Sequence, residues 1–280
     1  MDTAGALAEM DVEGLTEEQA RQLDEHGYFV VPDFFTAEEV AALRGEYDKW
    51  EAKAAKSFAD YNIEPGAVFI IDLYNKSPVF DLSFKCSPTL AAAHRLLGEI
   101  KVYSLNGRNP GKGIGQQLLH SDAARAGADD WHVVNTMILL DDVTEDNGPT
   151  RMVPGSHRWP PLNVPDYNDD DGLLARRGEM TASERALIPA DPLAPHPAEI
   201  HLTGTAGTIC VINGHIWHGG TRNVSGRKRR LLHFAVGRRS GAPELVQQDY
   251  LTPGLAARAT PALQYLLAIE GCPPVKPDPS

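Results

Sequence analysis

The spacing of hydrophobic and polar residues predicts a helical first third followed by a strand-rich remainder. Thr16-Glu17-Glu18-Gln19 and Thr36-Ala37-Glu38-Glu39 are capping boxes, so they predict helices that begin near Leu15 and Thr36. The short apolar run Tyr28 to Val31 between them predicts a buried strand. A further strand over Ala67 to Tyr74 and a helix over Ser87 to Leu97 complete this part, which we expect to act mainly as scaffold.

From Ile100 onward, short apolar runs alternate with turn residues, which is typical of antiparallel sheets. The main predicted strands are Ile100 to Leu105, Gly115 to Leu119, Val133 to Leu140, Gly207 to Trp217 and Arg230 to Gly237. The pattern therefore predicts a mainly β chain with flanking α-helices, arranged as an antiparallel barrel or jelly roll. A barrel of two sheets has a deep mouth that suits a metal ion and two small molecules.

One connection in the strand-rich part, Pro160 to Ala198, is much longer than the others. It contains several prolines and the acidic run Asp169-Asp170-Asp171. Loops of this length are usually functional lids or disordered segments. We interpret it as a lid insertion at about residues 160–199 within a single domain of residues 1–280, and a solvated surface loop remains the alternative.

Composition narrows the class of protein. A chain of 280 residues with 42% hydrophobic residues suits one globular domain, and three scattered cysteines favour a reducing, cytoplasmic location. A net charge of −12 disfavours nucleic acid and anionic membranes as partners. The sequence has neither an apolar run of membrane-spanning length nor the features of a signal peptide. We therefore expect a small-molecule substrate, whereas the oligomeric state is not indicated.

The pattern His120-Ser121-Asp122 places an imidazole and a carboxylate on the same face of an extended strand. A second histidine from elsewhere would complete three ligands, and the run that begins at His218 is the candidate. Strand alternation turns His215 to the opposite face from His218, so His215 should not join it at a metal. Two imidazoles and one carboxylate leave three octahedral positions open, as in non-haem Fe(II) oxygenases. The same three groups could also hold zinc, so the spacing alone leaves the metal open.

Arg229 follows His218 by eleven residues, with the turn residues Asn223 to Gly226 between them. This spacing predicts a hairpin-like return that brings the guanidinium back beside the metal ligand. The run Arg227 to Arg230 could also be an ordinary solvated charge run. Because Leu231-Leu232 follows at once, we expect at least one of these cations to reach the barrel wall.

Taken in order, four motifs resemble the phytanoyl-CoA dioxygenase (PhyH) family of Fe(II)/2-oxoglutarate-dependent oxygenases. They are Asp24 to Pro32, His120 with Asp122, Leu140 to Pro149 followed by Pro154 to Arg158, and His218 with Arg229. The resemblance runs from about Asp24 to Arg239. Gly207-Thr208 stands where this family often has Gly-Asp, a departure that affects a turn and not a ligand.

The resemblance implies a double-stranded β-helix, which is a jelly-roll, cupin-like barrel, and a set of site residues. His120, Asp122 and His218 would be the catalytic Fe(II) ligands, with O₂ and 2-oxoglutarate in the open positions. Arg229 would bind the distal carboxylate of 2-oxoglutarate bidentately, and Gln117 would contact the same co-substrate. Strand alternation favours Gln116 over Gln117, so the choice between these two glutamines stays open.

For the reaction, the resemblance implies hydroxylation of an unactivated C–H bond of a secondary metabolite, amino-acid derivative or acyl compound, with release of succinate and CO₂. Asp122 makes hydroxylation the default, since halogenating relatives lack this carboxylate. Desaturation, epimerisation and cyclisation use the same ligands and remain alternatives. A metal-dependent cupin-type isomerase without 2-oxoglutarate and a catalytically silent binding protein are the other two hypotheses. Tyr74 and Asn75 are candidate substrate contacts, because the family's cavity is bordered by this region.

Overall fold

The structure is a computed structural model that describes residues 1–54, 67–123, 127–159, 181–187, 191 and 193–279. Its α-helices are α1 Thr3–Glu9, α2 Glu17–His26, α3 Ala37–Ala54, α4 Leu73–Lys76, α5 Ser87–Leu97, α6 Ala182–Leu187, α7 Pro253–Arg258 and α8 Pro261–Leu266. Its strands are β1 Tyr28–Val31, β2 Ala67–Ile70, β3 Ile100–Pro110, β4 Val133–Leu139, β5 Thr150–Met152, β6 Ile200–Leu202, β7 Ile209–Asn213, β8 His218–Gly220 and β9 Leu231–Arg238. Short 3₁₀ helices cover Pro78–Lys85, Ser156–Arg158 and Gln247–Asp249.

Both capping boxes form, which explains why α2 and α3 begin where the sequence predicts. The Thr16 hydroxyl accepts a hydrogen bond from the Gln19 N–H at 3.2 Å, and the Gln19 side chain accepts one from the Thr16 N–H at 3.0 Å. Thr36 and Glu39 make the same reciprocal pair at the start of α3. Each box satisfies N–H groups that have no partner inside the helix, so the helix start is fixed locally.

The strands form two antiparallel sheets, which confirms the mainly β fold with flanking helices. The larger sheet has the order β1-β7-β4-β9-β3-β2, and the smaller has the order β6-β5-β8. His120 adds to the edge of the smaller sheet through an antiparallel bridge to His218. Within the described residues the two sheets stay separate rather than closing into one continuous barrel, an arrangement consistent with a cupin-like jelly roll.

The core lies on both faces of the larger sheet. One apolar cluster fills the space between the two sheets and contains Met137, Cys210 and Leu231 from the larger sheet and Met152 and Leu202 from the smaller. A second, larger cluster packs the helices against the outer face of the larger sheet. The helices thus cover the outside of the larger sheet, and the space between the sheets holds both the smaller apolar cluster and a cavity lined by residues of the two sheets.

Three strand predictions need correction. The strand predicted over Ala67 to Tyr74 ends at Ile70, because Asp72 has a positive φ of 57° and begins α4. The segment Gly115 to Leu119 is irregular up to its bridge at His120, and Gly115 has a φ of +106°, outside the extended region. The strand predicted over Gly207 to Trp217 breaks after Asn213, where the chain turns from the larger sheet into the smaller one.

The predicted hairpin between His218 and Arg229 is also wrong. His218 lies in β8 of the smaller sheet, whereas β9, which begins just after Arg229, lies in the larger sheet. Asn223 fixes the connection, because its Oδ1 accepts from the Gly226 N–H at 2.8 Å and its Nδ2 donates to the Arg227 carbonyl at 2.8 Å. The turn residues therefore carry the chain from one sheet to the other.

Among the described residues, none of the helices combines the length and apolar character needed to span a membrane. The predicted lid at residues 160–199 lies in part outside the described residues, which include 181–187, 191 and 193–199 of it.

Candidate functional site

Three side chains from two neighbouring segments meet at the edge of the smaller sheet. His120, Asp122 and His218 each offer one ligand atom, and these atoms lie within 4.8 Å of one another. Asp122 Oδ1 is 4.0 Å from His120 Nε2 and 3.4 Å from His218 Nε2. The structure thus brings together the three residues that the sequence singles out, and the set of two imidazoles and one carboxylate fits a non-haem Fe(II) ion.

The backbone orients both imidazoles. His120 and His218 exchange backbone hydrogen bonds at 2.9 and 2.8 Å, so their side chains leave adjacent chains side by side. Nδ1 of each ring hydrogen-bonds a backbone carbonyl. His120 Nδ1 bonds the Leu118 carbonyl at 2.7 Å, and His218 Nδ1 bonds the Ile216 carbonyl at 2.9 Å. Because these bonds place the proton on Nδ1, each Nε2 carries the lone pair that a metal needs.

The charges of the three groups also match metal binding. Burial, followed by the neighbouring His218, lowers the pKa of His120 to about 3, which keeps this imidazole neutral. Burial alone would raise the pKa of the Asp122 carboxyl, but His218 and His120 hold it below its usual value. Burial acts to lower the pKa of His218, yet the Asp122 carboxylate outweighs it and the pKa is raised. A carboxylate between two imidazoles favours a cation at this point.

Two further groups hold the Asp122 carboxylate in place. Asn135 on β4 donates a hydrogen bond from Nδ2 to Asp122 Oδ2 at 3.4 Å. The Asp122 N–H donates to the Gly214 carbonyl at 2.8 Å, in the turn that follows β7. A Cβ at Gly214 would lie 2.4 Å from Val133 Cγ1 and 3.3 Å from Asp122 Oδ2, so the close approach of the turn requires glycine.

The three ligands line a cavity of about 760 Å³ between the two sheets. Its walls include polar side chains on the inner face of the larger sheet, among them Ser104, Asn106 and Arg108 of β3 and His233 of β9. Aromatic and aliphatic groups such as Phe69 and Val133 line the rest. Cavities of this size hold small ligands, so a substrate can lie beside the candidate metal centre.

Both glutamines before His120 line this cavity. The Gln117 N–H donates a hydrogen bond to the Gly220 carbonyl at 2.9 Å, and Gln117 Oε1 accepts one from the Gly220 N–H at 2.7 Å. Gln116 instead directs Nε2 toward the Leu193 carbonyl at 3.4 Å. Because the segment is irregular, strand alternation does not decide between them, and the co-substrate contact of Gln117 stays a prediction.

Arg229 is almost completely buried, with 1% of its surface exposed. Its backbone N–H donates to Asn109 Oδ1 at 3.2 Å, and its charge helps to lower the pKa of His233, which lines the cavity. The interpretation of Arg227 to Arg230 as one solvated run fails for Arg229 and Arg230, which are both buried. The predicted contact between Arg229 and 2-oxoglutarate remains a prediction.

Arg108 is an arginine of the cavity wall that the sequence reasoning missed, whereas Arg229 is not among the residues that line this cavity. Arg108 lies on β3 opposite Leu231 and lines the cavity directly. Its charge is the largest charge effect that lowers the pKa of His233, and it acts on His120 and His218 as well. The predicted strand ended at Leu105, and only the pairing of β3 with β2 and β9 shows that the strand continues to Pro110.

Other candidates lie away from the cavity. His215 is not part of the cluster of His120, Asp122 and His218, which agrees with the prediction. Its Nε2 accepts a hydrogen bond from the His132 N–H at 3.0 Å. Tyr74 is buried and its hydroxyl pairs with that of Ser83 at 2.8 Å, and Asn75 hydrogen-bonds Asp72 at 2.7 Å. Neither residue lines this cavity, so their predicted substrate contact is not supported.

The described part of the predicted lid reaches the site. Leu193 lines the cavity and accepts the hydrogen bond from Gln116. Arg151 of β5 donates to the Ala194 carbonyl at 2.8 Å and to the Gln117 carbonyl at 3.0 Å. A buried guanidinium therefore ties the end of the insertion to the segment that carries the first metal ligand.

Comparison with known proteins gives consistent results. The Phytanoyl-CoA dioxygenase (PhyH) family profile matches residues 23–231. The chain is 29% identical over 250 residues to the ectoine dioxygenase of Sphingopyxis alaskensis, covering 82% of this chain and 79% of that protein. It is 27% identical over 243 residues to the ectoine dioxygenase of Bordetella bronchiseptica, covering 76% of this chain and 72% of that protein.

A solved structure shares the fold. HygX from Streptomyces hygroscopicus, determined with nickel and 2-oxoglutarate bound, superposes with a TM-score of 0.61 at 20% sequence identity. The match covers 82% of this chain and 90% of HygX.

Proposed function

Because the chain belongs to the phytanoyl-CoA dioxygenase family, and is thus an Fe(II)- and 2-oxoglutarate-dependent dioxygenase that uses O₂, we propose that it hydroxylates an unactivated C–H bond of a small molecule. Succinate and CO₂ are the products from the co-substrate. The observation that supports this most is the cluster of His120, Asp122 and His218 at the wall of a substrate-sized cavity. Family membership sets aside the isomerase without 2-oxoglutarate and the catalytically silent binding protein.

His120 and His218 would hold Fe(II) through Nε2, and Asp122 would hold it through its carboxylate. The donor set fits this ion, since three protein ligands on one side leave positions for the co-substrate and O₂. Bound there, the iron supplies the oxidising chemistry that attacks a C–H bond. Asp122 would be a ligand where halogenating relatives lack the carboxylate and leave room for a halide, which favours hydroxylation. Asn135 would keep that carboxylate aimed at the metal.

Arg229 and Arg108 would supply the positive charge that 2-oxoglutarate requires. Both guanidinium groups act on His233 in the cavity wall, so both lie close enough to affect an anion there. We assign Arg229 as the partner of the distal carboxylate of 2-oxoglutarate. Arg108 would add a second positive charge near this co-substrate. Gln117, held by Gly220, would orient the co-substrate.

The substrate is proposed to be a small metabolite that enters beside Leu193. The cavity of about 760 Å³ and the described part of the lid support this size class. Ectoine is the first compound to test, because two relatives, at 29% and 27% identity, are ectoine dioxygenases. Desaturation, epimerisation and cyclisation remain alternatives that use the same ligands.

The experiment is product analysis with isotopically labelled O₂, Fe(II), 2-oxoglutarate and each candidate compound. Hydroxylation predicts succinate formation matched by a product that is heavier by one labelled oxygen atom. A product that has lost two hydrogens would instead indicate desaturation or cyclisation, which share this mass change and are told apart by the product's structure, and a stereoisomer of the substrate with unchanged mass would establish epimerisation. Asp122→Ala is the control, because it should form no product while it keeps the protein fold.

A further inference from the structure

Glu244 is an acidic residue in the cavity that the proposed reaction does not use. It lies in the irregular segment after β9 and lines the same cavity as His120, Asp122 and His218. Its Oε2 accepts a hydrogen bond from Ser104 Oγ at 2.5 Å and another from Asn106 Nδ2 at 3.1 Å. Two side chains of β3 therefore fix this carboxylate on the cavity wall.

The carboxylate is held by neutral groups. Within the described part of the chain, the hydrogen bonds to Glu244 all reach Oε2, which leaves Oε1 for a ligand. None of the described residues forms an ion pair with Glu244. The charged group that acts on the Glu244 carboxyl is Asp122, which is negative. Desolvation in the cavity and the Asp122 carboxylate both raise the pKa of Glu244, whereas its two hydrogen bonds lower it. A bound cation would relieve this electrostatic cost.

The surroundings of Glu244 also suit a cation. Tyr103 and Phe69 line the same cavity, and their rings can attract a positive charge. The charges of Glu244 and Asp122 both raise the pKa of Tyr103, after the larger effect of burial, so both carboxylates act on this ring. A group bound at Glu244 would lie in the same cavity as the candidate metal ligands.

The cavity wall carries groups of opposite charge. Arg108 acts on His120, His218 and His233, and its positive charge suits the anionic co-substrate. Glu244 is bonded to Ser104 and Asn106, which precede Arg108 on β3, and its carboxylate would repel the co-substrate's negative charge. A negatively charged or neutral substrate would leave the Glu244 carboxylate uncompensated once water is displaced, whereas a cationic substrate would pair with it.

We propose that Glu244 binds a positively charged nitrogen group of the substrate, so that the enzyme acts on a cationic small molecule of the amine or amidine class. This inference rests on the proposed function, since it assumes that the cavity holds the substrate of the Fe(II)/2-oxoglutarate reaction. Glu244 would be a specificity-determining residue. The neutral donors Ser104 and Asn106 would keep its carboxylate oriented.

The test uses pairs of small molecules that share a carbon skeleton and differ in charge. Benzylamine with benzyl alcohol and cyclohexylamine with cyclohexanol are suitable probes. Each is added to the full-length protein loaded anaerobically with Fe(II) and 2-oxoglutarate, and its binding is followed by the change in the absorption of the iron-bound 2-oxo acid. The wild type should bind each amine more tightly than its alcohol, and Glu244→Gln should remove this preference.

The expected loss is roughly 10- to 100-fold in amine affinity, the usual value of a hydrogen bond to a charged group. Glu244→Gln keeps an acceptor for Ser104 and Asn106, and Glu244→Asp, which keeps the charge, should retain part of the preference. Asp249→Asn is the matched control, because Asp249 is a nearby acid, in the 3₁₀ helix Gln247–Asp249, that does not line this cavity. It should bind amines like the wild type.

The outcomes separate the inference from the proposed function. A wild type that forms no 2-oxo acid absorption refutes the proposed function, whatever Glu244 does. A wild type that forms it but binds amines and alcohols equally overturns the Glu244 inference alone. Amine binding that is the same in Glu244→Gln as in the wild type also overturns it, since the amine would then be bound by other groups, such as the iron.

Discussion

The turn at Gly214 gives a prediction that separates positioning of the metal ligand from ligation itself. Replacing Gly214 with Ala adds one methyl group without removing any donor. That group would lie 2.4 Å from Val133 Cγ1 and 3.0 Å from the Val133 carbonyl oxygen. Carbon atoms normally approach to about 3.5–4.0 Å, so a shift of about 1 Å is needed. The Val133 side chain can rotate, but its carbonyl is held by the Gly214 N–H at 2.9 Å.

The turn must therefore move away from β4, and Asp122 moves with it. The Asp122 N–H is bonded to the Gly214 carbonyl at 2.8 Å, and the added methyl would also lie 3.3 Å from Asp122 Oδ2. Overpacking of this kind costs about 1–3 kcal/mol in the free energy of unfolding. Loss of a supporting contact around a metal ligand typically weakens metal affinity by roughly 10- to 100-fold.

Anaerobic calorimetric titration with Fe(II), together with thermal unfolding, measures both effects. Gly45→Ala is the control, because Gly45 lies on the exposed face of α3 with nothing within 4 Å of its added Cβ. Alanine there should raise the free energy of unfolding by roughly 0.5–1 kcal/mol and leave Fe(II) affinity unchanged. The reasoning is refuted if Gly214→Ala binds Fe(II) like the wild type, or if both variants lose affinity equally.

Three further substitutions test the site and its scaffold. Arg229→Gln should leave the distal carboxylate of 2-oxoglutarate without its proposed partner, and loss of one partner of a buried pair costs roughly 3–5 kcal/mol, so 2-oxoglutarate should bind about two to three orders of magnitude more weakly. Arg227→Gln should not, because Arg227 is exposed and pairs with Asp146; equal losses in the two variants would contradict the prediction. Asp122→Gly should weaken Fe(II) binding and stop hydroxylation without unfolding the protein, as measured by product formation and circular dichroism, and full activity would exclude Asp122 as a ligand. Burial raises the pKa of Asp72 to about 6, so the folded state binds more protons than the unfolded state between about pH 4 and 6, and stability falls as pH rises through that range. Asp72→Asn should therefore be the more stable protein by about 1–3 kcal/mol at pH 7 in urea unfolding, with the difference vanishing below about pH 4, and a difference that does not change with pH would contradict it.

The sequence could single out the candidate metal ligands because part of their signal is local. His120 and Asp122 are two residues apart, and the family motifs supply His218. Helix starts were equally predictable, because a capping box lies within four consecutive residues. By contrast, the strand predicted over Gly115 to Leu119 relied on alternation alone, and the positive φ of Gly115 does not appear in that pattern.

The rest of the site depends on contacts between distant residues. Glu244 is 140 residues from Ser104, and nothing in its own segment indicates that it reaches the cavity. Arg108 becomes a cavity residue only because pairing with β9 extends β3 past Leu105. The contact between the terminal helices also joins distant parts of the chain. Helices α1 and α8 contact each other through Thr3 and Tyr265, whose hydroxyl oxygens are 3.1 Å apart. Such contacts are set by tertiary packing, which local periodicity does not encode.

The central claim is that His120, Asp122 and His218 hold an iron ion to which 2-oxoglutarate binds. Anaerobic addition of 2-oxoglutarate to the Fe(II) protein, followed by the metal-to-ligand absorption of the chelated 2-oxo acid, measures this most directly. The account predicts an absorption band in the wild type that requires both Fe(II) and 2-oxoglutarate, and its loss in His120→Ala and in His218→Ala. A wild type without the band, or a band of undiminished intensity in either variant, would contradict it.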